Sequence, residues 1–489
     1  MQTLKTAFFF VLASWGASVS ARVYNIRDFG AVADGKTVNT VAIQRANDNC
    51  RNSGGGVVLI PAGTFVSGPI QLFSNIELLI ETGATLKGSG NVSDYFIAGK
   101  KLGLIYTENS TNVSITGGGN IDGNGDAFME LDRSKVFDTA ATKYTRQGIH
   151  FREVLSGPGD GPLVPKDGPF QMIIFSNCKE VTVREVLISN SPFWTLHLAD
   201  CDGAIITGVR IWNNLMIPNN DGLDLTSCSN VQVSDCDIRT GDDAIAITGY
   251  AYNFDLPGYK NITHSSENIT VTNCYFVSRS SAIRVGGWDQ NDMLNYTFSN
   301  IIISNSNRGI DLCVRDQGSI RNMIFSNIII HTRLFTGDWG GNGEPIHISA
   351  IRGKENVKLG KIGNIRFNDV ICNGESGVLM YGTDESGIED VTFHNCSIHI
   401  NDSELNSTCG GNFDLRPVID HRSSIFAHDV PAFYACDVGN IKLYDVNISW
   451  GDVKELYFTN AVDITHFDSV PLDGCTLDRA PHSAKSAVI

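Results

Sequence analysis

Three aspartates of this chain stand in two short motifs, Asn219–Asp221 and Gly241–Asp243. The motifs place Asp221 21 residues before Asp242, in a region that repeats with nearly that period. Carboxylates held at controlled distances suit acid/base hydrolysis of a glycosidic bond, because one protonates the leaving oxygen while another activates water. Aspartate is also common in turns, so the spacing alone leaves a purely structural role open.

The elements that must position these acids form one repeated phrase. Asn or Ser is followed by three to five alternating β-branched and apolar residues, as in 181–188 and 204–211, and then by Asn, Ser or Gly. The intervals cluster in the twenties, without helices between them, which predicts an all-β, single-stranded parallel β-helix. A β-propeller would repeat nearer to forty residues, and a β-sandwich would show no fixed period. Asn at strand starts fits, since Asn tolerates left-handed turns and forms side-chain ladders.

The ends of the chain predict a domain order. Residues 1–21 resemble a secretory signal, with a charge at Lys5, an apolar core and a small-residue cleavage site. We expect the β-helix catalytic domain over 22–455 and a C-terminal cap and tail over 456–489. The apolar spacing in Thr37–Asn49 predicts a short N-terminal capping helix, because an uncapped solenoid would expose unpaired strand edges.

Stacking in a β-helix would bring the three acids together. Neighbouring strands lie about 4.8 Å apart, so Asp221 and Asp242 are expected to be close if both point outward. Asp242 and Asp243 share a face only where the backbone bends, and we expect Gly241 to allow that bend. Clustered like charges raise at least one pKa, as a general acid requires. A separation of about 6.5–9.5 Å would leave room for a water and predict inversion.

Several phrases of the sequence resemble one enzyme family. The stretch 190–247, with NSPFWTLH and NNDGLDLTSCSNVQVSDCDIRTGDDAIAI, is similar to polygalacturonase-type glycoside hydrolases of family 28, as are FGAVADG, IPAGTFVSGPI and GGGNIDGNG. The resemblance covers roughly residues 24–450. It implies a right-handed β-helix and inverting hydrolysis of α-linked pectic chains, with neither a metal nor a cofactor. It also implies that Asp242 is the general acid, that Asp221 and Asp243 hold the water, and that Asn219 contacts the sugar or orients the acids.

Two positions depart from the pattern of that family. Ser280–Ala282 stands where the family has Gly-His-Gly, and Asp311–Cys313 stands where it has Arg-Ile-Lys. An acid and a thiol cannot hold a galacturonate carboxylate as a basic pair does. We expect Arg284 to supply a substrate-binding cation from a neighbouring position, and Trp339 to offer a stacking face, although either could be purely structural. The departures leave polygalacturonan and rhamnogalacturonan open as substrates, and exo-action as well.

The composition limits the kinds of partner that the protein can bind. The net charge of -16 excludes a role built on neutralising nucleic acid or an anionic membrane. The resemblance implies pectic polysaccharide as the partner, and we expect a monomer. A secreted, glycosylated protein is expected, since Asn-X-Ser/Thr sequons recur and twelve cysteines permit disulfides or a buried thiol ladder. Two alternatives stay open: a β-helix polysaccharide lyase using calcium, and a non-catalytic pectin-binding relative.

Overall fold

The structure is a computed structural model and describes residues 22–137, 139–154, 156–251, 262–385, 387–420 and 422–489. The predicted secretory signal, residues 1–21, lies outside the described residues. One sheet of 36 strands runs through the molecule, and its strands pair in parallel with the equivalent strands of the next coil. Each complete coil contributes three strands, which form three faces named A, B and C in chain order. The predicted parallel β-helix is therefore confirmed.

Face A contains the strands that follow the acid motifs. Its register is continuous, with Leu196 paired to Leu223, and Leu223 paired to Ile245. The strands of face A are Ile70–Gln71, Ile105–Glu108, Ile173–Ser176, Leu196–Ala199, Leu223–Thr226, Ile245–Thr248, Ser281–Gly287, Arg308–Val314, Ile346–Ala350, Val378–Tyr381, Phe433–Tyr444 and Val462–Ser469, the last two continuing into face B.

Faces B and C complete the coils. The strands of face B are Val23–Asn25, Gly56–Ile60, Ile76–Ile80, Thr111–Thr116, Lys179–Arg184, Asp202–Thr207, Ser229–Ser234, Ser266–Thr272, Met293–Ser306, Ile320–Thr332, Ile362–Gly374, Ile388–His394 and Leu472–Asp473. Three of these long strands, which begin at Met293, Ile320 and Ile362, continue into face C. The other strands of face C are Asp34–Val38, Gly63–Ser67, Ala84–Gly88, Asn120–Asp122, Leu187–Ser189, Arg210–Trp212, Asp237–Thr240, Tyr275–Ser278, Ser397–Ile400, Asn447–Trp450 and Thr476–Leu477.

Few described elements lie outside the coils. Three antiparallel hairpins pair Phe96–Ile97 with Lys100–Lys101, Met129–Ser134 with Leu163–Pro165, and Asn412–Asp414 with Ile425–Ala427. The α-helices are Thr40–Asn52, Thr139–Thr142 and Asn406–Cys409, and the 3-10 helices are Ile26–Phe29, Val92–Tyr95, Gly125–Phe128 and Gly148–His150. None of the helices in these described ranges has the length and apolarity to cross a membrane.

The capping helix forms close to its predicted place. It runs over Thr40–Asn52, three residues later than expected at both ends, and buries Ile43 and Ala46 against the first coil. Val41 lies on the far side of the helix, where its side chain is 64% exposed. The helix covers the end of the solenoid, as an exposed apolar coil requires.

The core is a set of stacked columns of inward side chains. Phe298, Phe325, Phe367 and Phe393 lie on successive coils with ring centroids 4.8, 5.0 and 4.7 Å apart and nearly parallel planes. Outside the core, asparagines with positive φ form the predicted ladder at the start of face B. In that ladder, each side-chain amide donates to the asparagine of the preceding coil, as from Asn295 to Asn268 and from Asn322 to Asn295.

The cysteines form no disulfides, so the expectation of disulfide bonds is wrong in this structure. All twelve are free thiols, and eleven of them are buried. Cys178, Cys201 and Cys228 occupy equivalent positions on successive coils, where their thiols donate to backbone carbonyls. Of the two alternatives, the structure shows the buried thiol ladder. Each of these three coils contributes one cysteine to the ladder, and that cysteine remains a free thiol.

The β-helix extends beyond residue 455, where the catalytic domain was expected to end. Val462–Ser469 pairs with Phe433–Tyr444, and Thr476–Leu477 pairs with Asn447–Trp450, so another coil follows the predicted boundary. The chain end then covers this coil, because the amide of Val462 donates to the carbonyl of Ala487 at 3.0 Å. The last residues of the chain therefore belong to the C-terminal cap.

Four long segments leave the coils at one place. They are residues 89–104, 123–172, 333–345 and 401–432, and each connects a face C strand to the next face A strand. We call the last three the excursions. The turns that carry the acid motifs make the same connection, and we call this edge of the solenoid the C–A corner. Two stretches, 249–266 and 332–345, interrupt the sequence repeat and are predicted insertions. The second is one of these excursions. The first follows face A, and residues 252–261 lie outside the described residues.

The phenylalanine column should stabilise the central coils. Phe325→Ala is expected to lower the free energy of unfolding by about 3–5 kcal/mol, because it removes a fully buried ring and leaves a cavity between two others. Chemical denaturation followed by circular dichroism measures this change. Ile324→Ala is the matched control, since Ile324 is 43% exposed on the same strand. Equal midpoints for the two variants would contradict the assignment.

Candidate active site

The two acid motifs occupy neighbouring turns of the C–A corner. Asp221 stands two residues before the strand Leu223–Thr226, and Asp243 stands two residues before Ile245–Thr248. The strand register therefore stacks Asp221 on Asp243, and the amide of Gly222 donates to the carbonyl of Asp243 at 2.9 Å. One oxygen from each of Asp221, Asp242 and Asp243 lies within 4.8 Å of the others. The structure thus brings the three acids together.

A buried asparagine fixes the bend that turns Asp242 and Asp243 to the same place. The Oδ1 atom of Asn220 accepts from the amides of Gly241 and Asp242, at 2.7 and 3.3 Å. Gly241 is required for a different reason from the one expected. Its φ is not positive, but a Cβ there would lie 2.2 Å from the carbonyl oxygen of Ile217. The glycine therefore permits a close backbone approach.

Asp242 is the acid of the three that is not fully buried. Its Oδ2 accepts from the amide of Asn219 at 3.2 Å, and the Asn219 side-chain amide lies 3.4 Å away. Burial, followed by the charge of Asp243, raises the pKa of Asp242 to about 7. Asn219 is exposed and has a φ of 54°, which an asparagine tolerates. Asn219 therefore lies where it can orient Asp242.

Asp221 and Asp243 have different surroundings. Asp221 is 4% exposed, and its Oδ1 has no hydrogen-bond partner among the described residues. Burial and the neighbouring carboxylates raise the pKa of Asp221 well above its usual range. Asp243 is held on both oxygens: the amide of Ser281 donates to Oδ1 at 2.9 Å, and Arg284 donates to Oδ2 at 3.2 Å.

The cation expected to bind substrate contacts an acid instead. Arg284 points outward from face A, where its Nε donates to the carbonyl of Gly286 and its NH1 pairs with Asp243. Arg284 also lines the cavity beside the acids, so its contacts with Gly286 and Asp243 lie at the cavity wall. Its positive charge opposes the rise in the pKa values of Asp221 and Asp242.

The two positions that depart from the family pattern lie in this same place. Ser280 and Ser281 line the cavity, as do Asp311 and Cys313. Asp311 pairs with Arg308 at 2.9 Å, and both side chains are buried. Asp311, which stands where the family has a basic residue, is therefore paired with the cation Arg308.

A cavity of about 340 Å³ opens beside the acids and extends towards the C-terminal coils. The three excursions form its walls. Its lining residues are Lys135, Pro162, Pro218, Asn219, Asp242, Asp243, Ser280, Ser281, Arg284, Arg308, Asp311, Cys313, Asp338, Trp339, Gly340, Arg416 and Pro417.

Trp339 belongs to this wall, but it is only 2% exposed. Its Nε1 donates to the carbonyl of Asp160, and its own carbonyl accepts from Arg152 and Arg416. These contacts anchor one excursion to the other two. A ring with so little exposed surface has no open face for a sugar, so the expected stacking role does not match its position.

Every basic residue of the cavity lining is already paired with a carboxylate. Lys135 and Arg416 both contact Asp338, at 2.9 and 2.6 Å, and Arg416 also contacts Asp414 at 2.8 Å. Arg284 and Arg308 pair with acids as described above. The sequence did not single out Lys135 or Arg416, because each stands on an excursion whose path only the folded chain reveals.

The three catalytic candidates are also the set of described residues whose ligand atoms lie close enough to hold a metal ion. Three carboxylates would suit a hard cation such as calcium. The same oxygens serve equally well as a proton donor and as acceptors for a water. The carboxylate geometry therefore fits both acid/base chemistry and cation binding.

Comparisons with known proteins give a consistent picture. A model of glycosyl hydrolases family 28 matches residues 162–412, and a model described as rhamnogalacturonase A/epimerase, pectate lyase-like, matches residues 23–158. A probable polygalacturonase of Vitis vinifera is 26% identical over 318 residues, which are 60% of this chain and 58% of that protein. An endo-polygalacturonase of Pectobacterium carotovorum subsp. carotovorum is 29% identical over 232 residues, 45% of this chain and 53% of that protein. The matches span little more than half of these relatives.

Solved structures support the fold. A family 28 exopolygalacturonase of Yersinia enterocolitica has a TM-score of 0.66 and 18% identity, over 93% of this chain and 79% of that one. A hyperthermoactive exopolygalacturonase of Thermotoga maritima has a TM-score of 0.58 and 23% identity, over 78% and 87%. The right-handed parallel β-helix that the resemblance implied is thereby confirmed.

Asn220 should be essential to the geometry of the acids. Asn220→Ala is expected to lower the free energy of unfolding by about 1–3 kcal/mol, because two amides lose a buried acceptor. Thermal or chemical unfolding measures the loss. Gln232→Ala, at an exposed position of the same coil, is the control and should change stability little. A stability equal to that of the control would show that the two amides find other partners.

Proposed function

Because the chain belongs to glycosyl hydrolases family 28, we propose that it is a secreted glycosidase that cleaves α-glycosidic bonds of pectic polysaccharide. In this proposal residues 1–21 direct export, and the mature protein acts as a monomer on its polysaccharide. The observation that carries the proposal is the carboxylate cluster. Three acids meet at one edge of the coils, and one of them, Asp242, is partly exposed and has a pKa raised to about 7.

Asp242 is the proposed general acid. A pKa near 7 keeps its carboxyl group protonated at mildly acidic pH, so it can transfer a proton to the leaving oxygen. The contacts from Asn219 fix the orientation of this carboxyl group, and the side chain faces the cavity where the sugar would lie. Asn219 is thus proposed to orient Asp242 and to lie within reach of the substrate.

Asp221 and Asp243 are the proposed pair that holds the water, and Asp243, the partner of Arg284, is the proposed base that deprotonates it. Two acceptors that share one water by hydrogen bonds of about 2.7–2.8 Å lie at most about 5.5 Å apart. The closest oxygens of the pair meet this condition, and Oδ1 of Asp221 has an unused acceptor site. Ser281 and Arg284 hold Asp243 in place, so we propose that Arg284 acts chiefly by positioning this base.

The carboxylate separation does not support inversion by the usual rule. The closest oxygens are within 4.8 Å, which is shorter than the about 6.5–9.5 Å typical of inverting enzymes. We nevertheless propose inversion, because both oxygens of Asp243 accept hydrogen bonds and Asp221 is 4% exposed, which leaves neither free to attack the sugar directly. Proton NMR of the first product anomer distinguishes the two outcomes.

The charges of the cavity favour a neutral sugar beside the scissile bond. Its four basic residues each pair with a carboxylate, so a galacturonate carboxylate would have to compete with those acids. A rhamnose unit needs no such cation. We therefore propose rhamnogalacturonan as the preferred substrate over polygalacturonan, with Trp339 acting as an anchor of the cavity wall.

Buried arginines tie the walls together on the C-terminal side of the cavity, and we propose that they close this end, which favours exo-action. Arg152 is 1% exposed and donates to the carbonyls of Trp339 and Gly341. Arg308 donates to the carbonyl of Asp414, which ties the third excursion to face A. A wall fixed by buried arginines opens only at a large cost, since each would lose its partners. We propose that one end of the polysaccharide enters this cavity.

The first test is sugar release from rhamnogalacturonan and polygalacturonate, with Asp242→Asn as the matched variant. We expect short products from rhamnogalacturonan at the higher rate, and a loss of about 100-fold or more for Asp242→Asn, which keeps the shape but cannot donate the proton. Chain-length analysis of the products reports exo- or endo-action. Circular dichroism checks that the variant is folded.

Other outcomes have distinct meanings. An unsaturated product, seen by ultraviolet absorbance and lost with a chelator, would replace hydrolysis with calcium-dependent lyase chemistry. Equal rates for wild type and Asp242→Asn would remove the assigned acid. Binding of pectic polysaccharide without any turnover would favour the non-catalytic relative.

The pH profile should report the state of Asp242. Its carboxyl group is protonated below its pKa, so kcat/KM is expected to fall as pH rises above about 7. Arg284→Gln removes a charge that lowers this pKa, so the basic limb should move to higher pH while the rate falls. Rates measured across pH for both enzymes test this. A basic limb unmoved by Arg284→Gln would contradict the assigned acid.

A further inference from the structure

We propose that Phe170, Phe193 and Trp194 form an aromatic platform that binds a sugar unit of the substrate on the N-terminal side of the acids. The platform is a binding subsite for the ring face of a pyranose. It deepens the proposed function and rests on it, because it supplies the path of the substrate chain outside the closed cavity.

The three rings come from two separate segments and contact one another. The rings of Phe193 and Trp194 are stacked with centroids 5.8 Å apart, and Phe170 meets Phe193 edge-on at 5.9 Å. Phe170 is 46% exposed, and Phe193 and Trp194 are half-buried.

The platform continues the catalytic edge of the coils. Leu196 pairs with Leu223, so the register places Trp194 at the position of Asp221 on the preceding coil. The amide of Thr195 donates to the carbonyl of Asp221 at 2.9 Å, which confirms this stacking. Coils are spaced by about 4.8 Å, so the platform begins one strand spacing from the acids.

Trp194 also reaches onto face A. The edge of its ring lies over His197, with centroids 5.1 Å apart. His197 is buried and pairs in register with Asp224, which lies close enough to the catalytic acids for Asp242 and Asp243 to raise its pKa. Buried His197 and Asp224 therefore link the platform to the acid cluster, and the cavity lies on the C-terminal side of the acids.

The charges near the platform favour binding through the ring face. Lys101 lies 4.4 Å from the centroid of the Phe170 ring, but it also pairs with Asp167 at 2.6 Å. Its charge is thus neutralised, and it serves to hold Phe170. The surface left for a ligand is apolar, which suits the C–H face of a pyranose whether or not that sugar carries a carboxylate.

Binding measured by calorimetry on the Asp242→Asn enzyme tests the platform without turnover. The probes are a disaccharide and a hexasaccharide prepared from rhamnogalacturonan. In the Asp242→Asn background, we expect Trp194→Ala to raise the Kd of the hexasaccharide about five- to tenfold, because one aromatic contact is lost. The Kd of the disaccharide should change little. Trp194→Phe should restore most of the affinity, and the effect should not depend on salt.

Two further variants complete the test. Phe170→Ala, at the more exposed ring, should weaken the hexasaccharide in the same direction, and Phe467→Ala, 51% exposed on the last coil, is the control. Equal effects on both saccharides, or none, would overturn the platform. If wild type shows no turnover while the Trp194 effect on binding remains, the hydrolase proposal fails and the platform stands.

Discussion

The parallel hydrogen bonding between successive coils is the constraint on which the rest of this structure depends. It places residues one period apart in sequence next to each other in space, as it does for Asp221 and Asp243. The same register puts Trp194 before these acids and Ser281 after them. The edge that carries the acids is therefore built from successive coils, and its spacing is set by the backbone.

That spacing makes the three carboxylates repel one another, and the repulsion raises pKa values in the site. Three carboxylates within 4.8 Å cannot all be ionised at neutral pH without a large cost. The structure divides the acids by their surroundings. Asp243 is held by Arg284 and by a backbone amide, whereas Asp242 is stabilised in its protonated form by burial and by its neighbour. Different environments for like groups are what separate a proton donor from a base.

The paired arginines of the cavity wall determine its rigidity and its charge. They join three irregular segments to one another and to face A, and they leave few charges free for a ligand. Because Arg308 and Arg416 are paired with Asp311, Asp338 and Asp414, the wall is rigid and nearly neutral at the same time. The apolar platform on the other side of the acids is nearly neutral as well, so both sides favour recognition by shape and ring face over recognition by charge.

The sequence by itself determined the β-helix, the capping helix, the asparagine ladder and the stacking of the acid motifs, because a period of one coil converts directly into spatial neighbours. It did not determine the pairing of Arg284 with Asp243, the burial of Trp339 or the extra coil after residue 455. Only the tertiary structure decided these, because the excursions follow no period, and partners such as Arg152 and Trp339 meet across 187 residues of chain. Where repetition ends, position in sequence no longer predicts which side chains are in contact.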